Sequence, residues 1–132
     1  MIGVDTNVLV RYFARDDAAQ AARARRLFEE EATAYQPVRV ASVVLAELAW
    51  VLKTRFAATR EEFAAVLDEL LADPRVELQD ESAVAIAAHD FATTKADFAD
   101  LLVSATNAWH GCRTTVTFDK AAAKLPGMAL LD

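Results

Sequence analysis

Three glycines, three prolines, two histidines and one cysteine in 132 residues leave several common chemistries without their raw material. The lone Cys112 cannot close an internal disulfide, which suits a reducing compartment, and a cytoplasmic protein is expected. His89, His110 and Cys112 do not form a ligand pattern, so zinc is not expected. No glycine-rich loop is present to cradle a nucleotide phosphate. No apolar run approaches the roughly 20 residues that span a bilayer, so no membrane is expected as a partner. The first residues, MIGVDTNVLV, lack the basic start of a signal peptide. Positive charge is also short: 14 Lys and Arg stand against 20 Asp and Glu, a net charge of −6. That balance opposes nucleic-acid binding, which needs cations against phosphate, unless grouped acids hold metal ions that meet the phosphate instead.

What is abundant is apolar: 55% of the chain, enough to exclude disorder. One domain over residues 1–132 is expected, able to bury about two-thirds of its unfolded surface. The pattern begins with a short buried strand, Ile2 to Val4, ending at Asp5, and a helical stretch from Thr6 to Phe13. Asp16 and Asp17 are placed to cap a helix through AAQAARARRLFEEEA, with Arg25–Glu29 and Arg26–Glu30 as surface pairs. A strand at Val38–Ala41 precedes a helix, VVLAELAWVLK, with Ser42 as its cap. Thr59 and Glu62 form a capping box before FAAVLDELLA, which Asp73-Pro74 breaks. Val76–Leu78 is a strand, and Ser82 is placed to cap AVAIAAHDFA. A further helix runs from near Asp97 to Trp109, with Gly111 just past its end. Thr114–Phe118 and Met128–Leu131 are the remaining strands. Strands alternating with helices predict an α/β fold, with a central, mostly parallel sheet between two helical layers.

Among twenty acids, the informative ones are those without a bland explanation. Glu47 lies in an apolar helix whose i±3 and i±4 neighbours are Val43, Val44, Trp50 and Val51, so its own helix offers no cation. It is either a buried carboxylate in need of a partner, or a residue on a narrow wet stripe or paired with a distant Arg. Asp100 has Ala96, Asp97, Val103 and Ser104 as helical neighbours. Asp97 and Asp100 therefore share a face suited to a hydrated cation, although Asp97 also suits a helix cap. Asp5 and Asp119 each directly follow an apolar strand, where α/β folds build their sites; each alone also suits a turn or cap. Trp50 and Trp109 are most simply core.

Asp5-Thr6-Asn7 after a first strand, Ser42 with Glu47 in the next helix, Asp97-Phe98-Ala99-Asp100, and Thr117-Phe118-Asp119 near the end together resemble PIN-domain proteins. Within that family the chain is similar to the VapC toxins of bacterial toxin–antitoxin pairs. The resemblance covers essentially the whole chain, and it rests on the ordered set of motifs. It implies a three-layer α/β/α PIN fold and a Mg²⁺- or Mn²⁺-dependent endoribonuclease. Asp5, Glu47, Asp100 and the more variable Asp119 would be its catalytic, metal-holding acids. Thr6, Asn7, Asp97 and Thr117 would support them. It also implies a homodimer and a cognate VapB-like antitoxin. An antitoxin segment would lie against apolar residues such as Val8, Tyr12, Phe13, Leu27 and Phe28 and extend an Arg or Lys towards the acids. RNA, the expected substrate, needs cations outside the acidic centre, for which Arg11, Arg15, Lys53, Arg55 and Lys95 are candidates. Two rivals stand beside this. A phosphotransfer domain also places Asp at a strand end. The phosphatase type needs a second Asp where Asn7 stands, however, and a receiver needs an acidic pair where Asp5 stands alone. The other rival is a non-catalytic binding module of the same fold.

Overall fold

The computed structural model describes residues 1–132, which form two compact units, Met1–Gln79 and Asp80–Asp132. The fold is α/β, and every strand pairing is parallel. The strands form two ladders, one in each unit.

The first unit contains β1 (Ile2–Val4), α1 (Thr6–Ala14), α2 (Ala18–Arg26), β2 (Val38–Val40), α3 (Ser42–Phe56), α4 (Arg60–Ala72) and β3 (Val76–Leu78). Its sheet has the order β1-β2-β3, with Ile2 opposite Val38 and Val38 opposite Val76. The central strand shows the clearest alternation: Val38 and Val40 are buried, while Arg39 points outward. Arg39 lies directly opposite Glu77 and forms an ion pair of 2.6 Å with it, a cross-strand contact that helps fix the register. β1 is less buried than its composition implies. It lies at the sheet edge, and Ile2 is 53% exposed.

Local signals set the helix ends. Asp17 caps α2 by accepting the Gln20 N–H at 3.0 Å, and Thr59 and Glu62 form the expected capping box on α4. The chain after α2 departs from expectation. Leu27–Glu31 is a π turn, closed by the Ala32 N–H to the Leu27 carbonyl at 2.8 Å. The wider turn breaks the 3.6-residue register, and neither Arg25–Glu29 nor Arg26–Glu30 forms an ion pair. Arg75 braces this turn. It donates to the Phe28 carbonyl at 2.8 Å while its other nitrogens hold both Asp73 oxygens. Ser42 does not cap α3 with its side chain. Its N–H donates to Gln79 Oε1 and its hydroxyl to the Gln79 carbonyl, tying α3 to the end of β3.

α3 is not buried all round. Leu45, Leu48, Val51 and Leu52 face the core, whereas Val43, Glu47 and Trp50 share an exposed stripe at helical spacing. Trp50 is 61% exposed and is therefore not a core residue.

The second unit contains α5 (Glu81–Thr93), α6 (Phe98–Trp109), β4 (Thr115–Thr117) and β5 (Met128–Leu130). α5 begins after Asp80, in the left-handed region at φ 50°, so Ser82 lies within the helix rather than capping it. The two helices pack through small and aromatic residues. Ala83, Val84, Ala87 and Ala88 are buried, and the Phe91 and Phe98 rings meet edge to face at 5.8 Å. α6 closes as expected at Gly111 (φ 91°). The Gly111 N–H donates to the Ala108 carbonyl and the Cys112 N–H to that of Asn107. Trp109, expected in the core, is largely exposed. A 3₁₀ turn, Ala122–Lys124, connects β4 to β5.

Candidate active site

In the first unit, the end of β1 delivers Asp5 to an exposed position at the start of α1. Asp5 caps that helix: Oδ1 accepts the Val8 N–H at 3.2 Å. The cap uses one oxygen and leaves Oδ2 for other partners. Thr6, next in sequence, is buried, and its hydroxyl donates to Oε1 of Glu47. Glu47 is exposed rather than buried, and no ion pair neutralises it. The bond ties the first turn of α1 to the carboxylate of α3. Asn7 is exposed beside them.

In the second unit, Asp97 occupies the N-cap position of α6, but its side chain makes no capping hydrogen bond. Its carboxylate charge acts instead on Asp100. Burial pushes the Asp100 carboxyl above the ordinary carboxylate range, and the charges of Asp97 and Asp119 push it further. Asp119 is held from two sides. Its Oδ1 accepts the N–H groups of Ala121 and Ala122 at 2.8 and 3.0 Å, and its own N–H donates to Thr117 Oγ1 at 3.0 Å. Asp119 is thus a fixed carboxylate at the turn after β4, with Oδ2 outside those bonds, and Thr117 fixes its backbone.

No three His, Cys, Asp or Glu side chains gather into a group that could hold a metal ion. The donor chemistry nonetheless suits a hard divalent cation. Every candidate ligand is an oxygen, and Asp100 carries the unrelieved repulsion that a cation removes. His89 and Cys112 are exposed and stand apart from this set.

The sequence matches the PIN domain family over residues 2–128. The chain belongs to the PIN-domain family. PIN domains are nucleases, typically metal-dependent, and the match spans both units of this one. No curated protein matches the chain. No helix of this PIN-domain protein is long and apolar enough to cross a membrane.

The five cations singled out in the sequence differ in availability. Arg11 is committed, with Nη1 on Asp16 at 3.1 Å and Nε on Gln20 at 2.6 Å. Arg15, Lys53, Arg55 and Lys95 are exposed and form no ion pair. Two features escaped the sequence. One is the polar wall of a groove of about 360 Å³ between α1 and α2: Val8 and Leu27, read from the sequence as apolar anchors, line it with Ala24, and Arg11, Gln20 and Arg23 supply the polar side. Its signal was the mixed face of α2, where Gln20, Arg23 and Leu27 recur at helical spacing. The other is the face of TTVTFD. Threonines alternate there with Val116 and Phe118, and Val116 is 52% and Phe118 79% exposed.

Proposed function

We propose that this PIN-domain protein is a Mg²⁺- or Mn²⁺-dependent endoribonuclease and the toxin of a VapBC-type pair. The observation that carries this is the Asp100 carboxyl, raised by burial and by two neighbouring acids with no cation of the protein's own to relieve it. Structural acids are normally paired, and strained carboxylates concentrate where chemistry is done.

Asp5, Glu47, Asp100 and Asp119 are the residues assigned to hold the cation. When bound, such an ion supplies charge stabilisation to the phosphate and acidifies a water. The chain's own residues do the rest. Thr6 fixes the rotamer of Glu47, and Thr117 and the Ala121 and Ala122 N–H groups fix Asp119. Asp97 keeps the field around Asp100 negative. Arg15, Lys53, Arg55 and Lys95 are assigned to the RNA backbone, since their charges are uncommitted.

The antitoxin's place is the groove between α1 and α2, where Val8 and Leu27 offer apolar anchors. Phe28, expected among those anchors, is 1% exposed and belongs to the core. From that groove, an Arg or Lys of the antitoxin would compete with the metal for carboxylates. The active toxin is assigned as a homodimer.

The test is cleavage of single-stranded RNA with Mg²⁺ or Mn²⁺, with EDTA, and with the Asp5→Asn variant. Metal-dependent cleavage lost in Asp5→Asn is the expected result. No cleavage by the parent protein under any divalent cation would leave a non-catalytic binding module as the better reading.

A further inference from the structure

Phe118 is 79% exposed, between two residues that are locked in place. Thr117 ends β4, which pairs in register with β5 (Thr117 opposite Leu130). Asp119 is tied down by three hydrogen bonds: its N–H to Thr117 Oγ1, and its Oδ1 from Ala121 and Ala122. The backbone beneath the ring is thus rigid, while the ring itself faces water. The ring gains nothing from burial within this fold, and with the exposed Val116 it forms an apolar face turned to water. Asp119, assigned to hold the cation, is immediately next in sequence, and Lys120 follows, exposed and without an ion pair. Val116 extends the apolar face along the same strand.

We propose that the Phe118 ring is a stacking platform for a nucleobase of single-stranded RNA, with Lys120 meeting an adjacent phosphate. The proposal rests on the endoribonuclease reading and specifies how its substrate is gripped. Flat faces are common to all bases, so stacking on an aromatic ring holds a single strand with little sequence preference. Duplex RNA keeps its bases stacked internally and gains nothing from such a ring. The platform therefore selects unpaired segments.

The test uses the full chain and a fluorescein-labelled single-stranded RNA of about 12 nucleotides. Affinity is measured in EDTA and steady-state cleavage in Mg²⁺, for the parent, Phe118→Ala, Phe118→Leu and Phe118→Trp. Phe118→Ala should weaken binding about 10-fold and raise KM with kcat unchanged, while Phe118→Trp retains both. A scan of single abasic sites should find one position that weakens the parent but not Phe118→Ala. Thermal melting should be the same for all four proteins, because the ring is exposed. If the parent cleaves RNA and Phe118→Ala binds and cleaves equally well, the platform is wrong and the nuclease reading stands. Full rescue by Phe118→Leu overturns stacking in favour of plain apolar contact. A change in oligomeric state with unchanged RNA affinity assigns the ring to a protein interface and also overturns it. A parent that neither binds nor cleaves RNA overturns the nuclease reading, and the platform with it.

Discussion

Thr6, itself 6% exposed, donates its hydroxyl hydrogen to Oε1 of Glu47, a residue 41 positions further along the chain. The bond links the first turn of α1 to the middle of α3, and it aims an exposed carboxylate from a buried hydroxyl. Replacing Thr6 with Val keeps the shape and deletes the bond. Glu47 then meets water, so the loss of stability should be modest, about 0.5–1.5 kcal/mol by chemical denaturation. Activity should suffer more, because the carboxylate loses its fixed rotamer. Thr6→Ser should restore both. Equal RNA cleavage by the Thr6→Val and parent proteins would show that the orientation of Glu47 is immaterial.

Asp5 separates structure from chemistry in one side chain. As a cap it needs only an acceptor for the Val8 N–H, and Asn caps as well as Asp. Asp5→Asn should therefore melt at the parent's temperature and show no RNA cleavage. Asp5→Ala should lose cleavage and also about 1 kcal/mol of stability, the usual cost of a missing cap. Circular dichroism melting beside an RNA cleavage assay distinguishes the two variants.

Asp100 gives a pH dependence whose sign is fixed by its surroundings. Its pKa in the fold is raised above the ordinary 3.8, so the folded chain holds this proton after the unfolded chain has released it. Stability contributed by the group is full below 3.8 and falls as pH climbs through the raised value. Asp100→Asn carries no charge at any pH. In EDTA at neutral pH it should melt above the parent, with the difference closing as the solution is acidified. Mg²⁺ or Mn²⁺ should raise the parent's Tm with the logarithm of concentration, and should do so less for Asp100→Asn and Glu47→Gln. An unchanged metal response in both variants would separate these acids from metal binding.

The sequence was most legible where a local rule decides the outcome. The capping box at Thr59 and Glu62, the break at Asp73-Pro74 and the closure at Gly111 all depend on neighbours a few residues away, and all formed as read. Asp5 and Asp119 stood out for a similar reason: an Asp after an apolar strand needs no tertiary knowledge to be noticed, and each accepts backbone N–H groups of the turn that follows. What stayed hidden depends on distant partners. Ser42 suits a helix cap, but Gln79 takes its N–H and its hydroxyl. Arg26 and Glu30 have pairing distance only in an α-helix, and Leu27–Glu31 is a π turn braced by Arg75. Glu47 looked buried because its segment is apolar. Composition does not say that Val43 and Trp50 share its exposed side.

Gly127 offers a packing test. Its φ is +78°, and a Cβ there would stand 2.8 Å from Ser104 Oγ, which donates to the Pro126 carbonyl at 2.6 Å. Gly127→Ala should cost about 1–3 kcal/mol, combining backbone strain with displacement of that hydroxyl. Ser104→Ala in the same chain relieves the crowding but not the φ. The two changes together should therefore cost less than their sum in a double-mutant cycle. Strict additivity would place the whole effect in the backbone.

The parallel ladders have a kinetic consequence. No strand is joined to its partner by a hairpin, so no pairing can zip up from a tight turn. In the first unit, Ile2 meets Val38 only after α1 and α2 have intervened, and Val38 meets Val76 only after α3 and α4. The ends of long segments must find each other before any ladder bond rewards the search, which makes such folding slow. In the second unit, Thr115 meets Met128 across a single short turn. During synthesis β1 emerges first, yet it waits for β2 with its backbone groups open, and β2 in turn waits for β3. The interval before Leu78 leaves the ribosome is therefore when this chain is most exposed to mispairing.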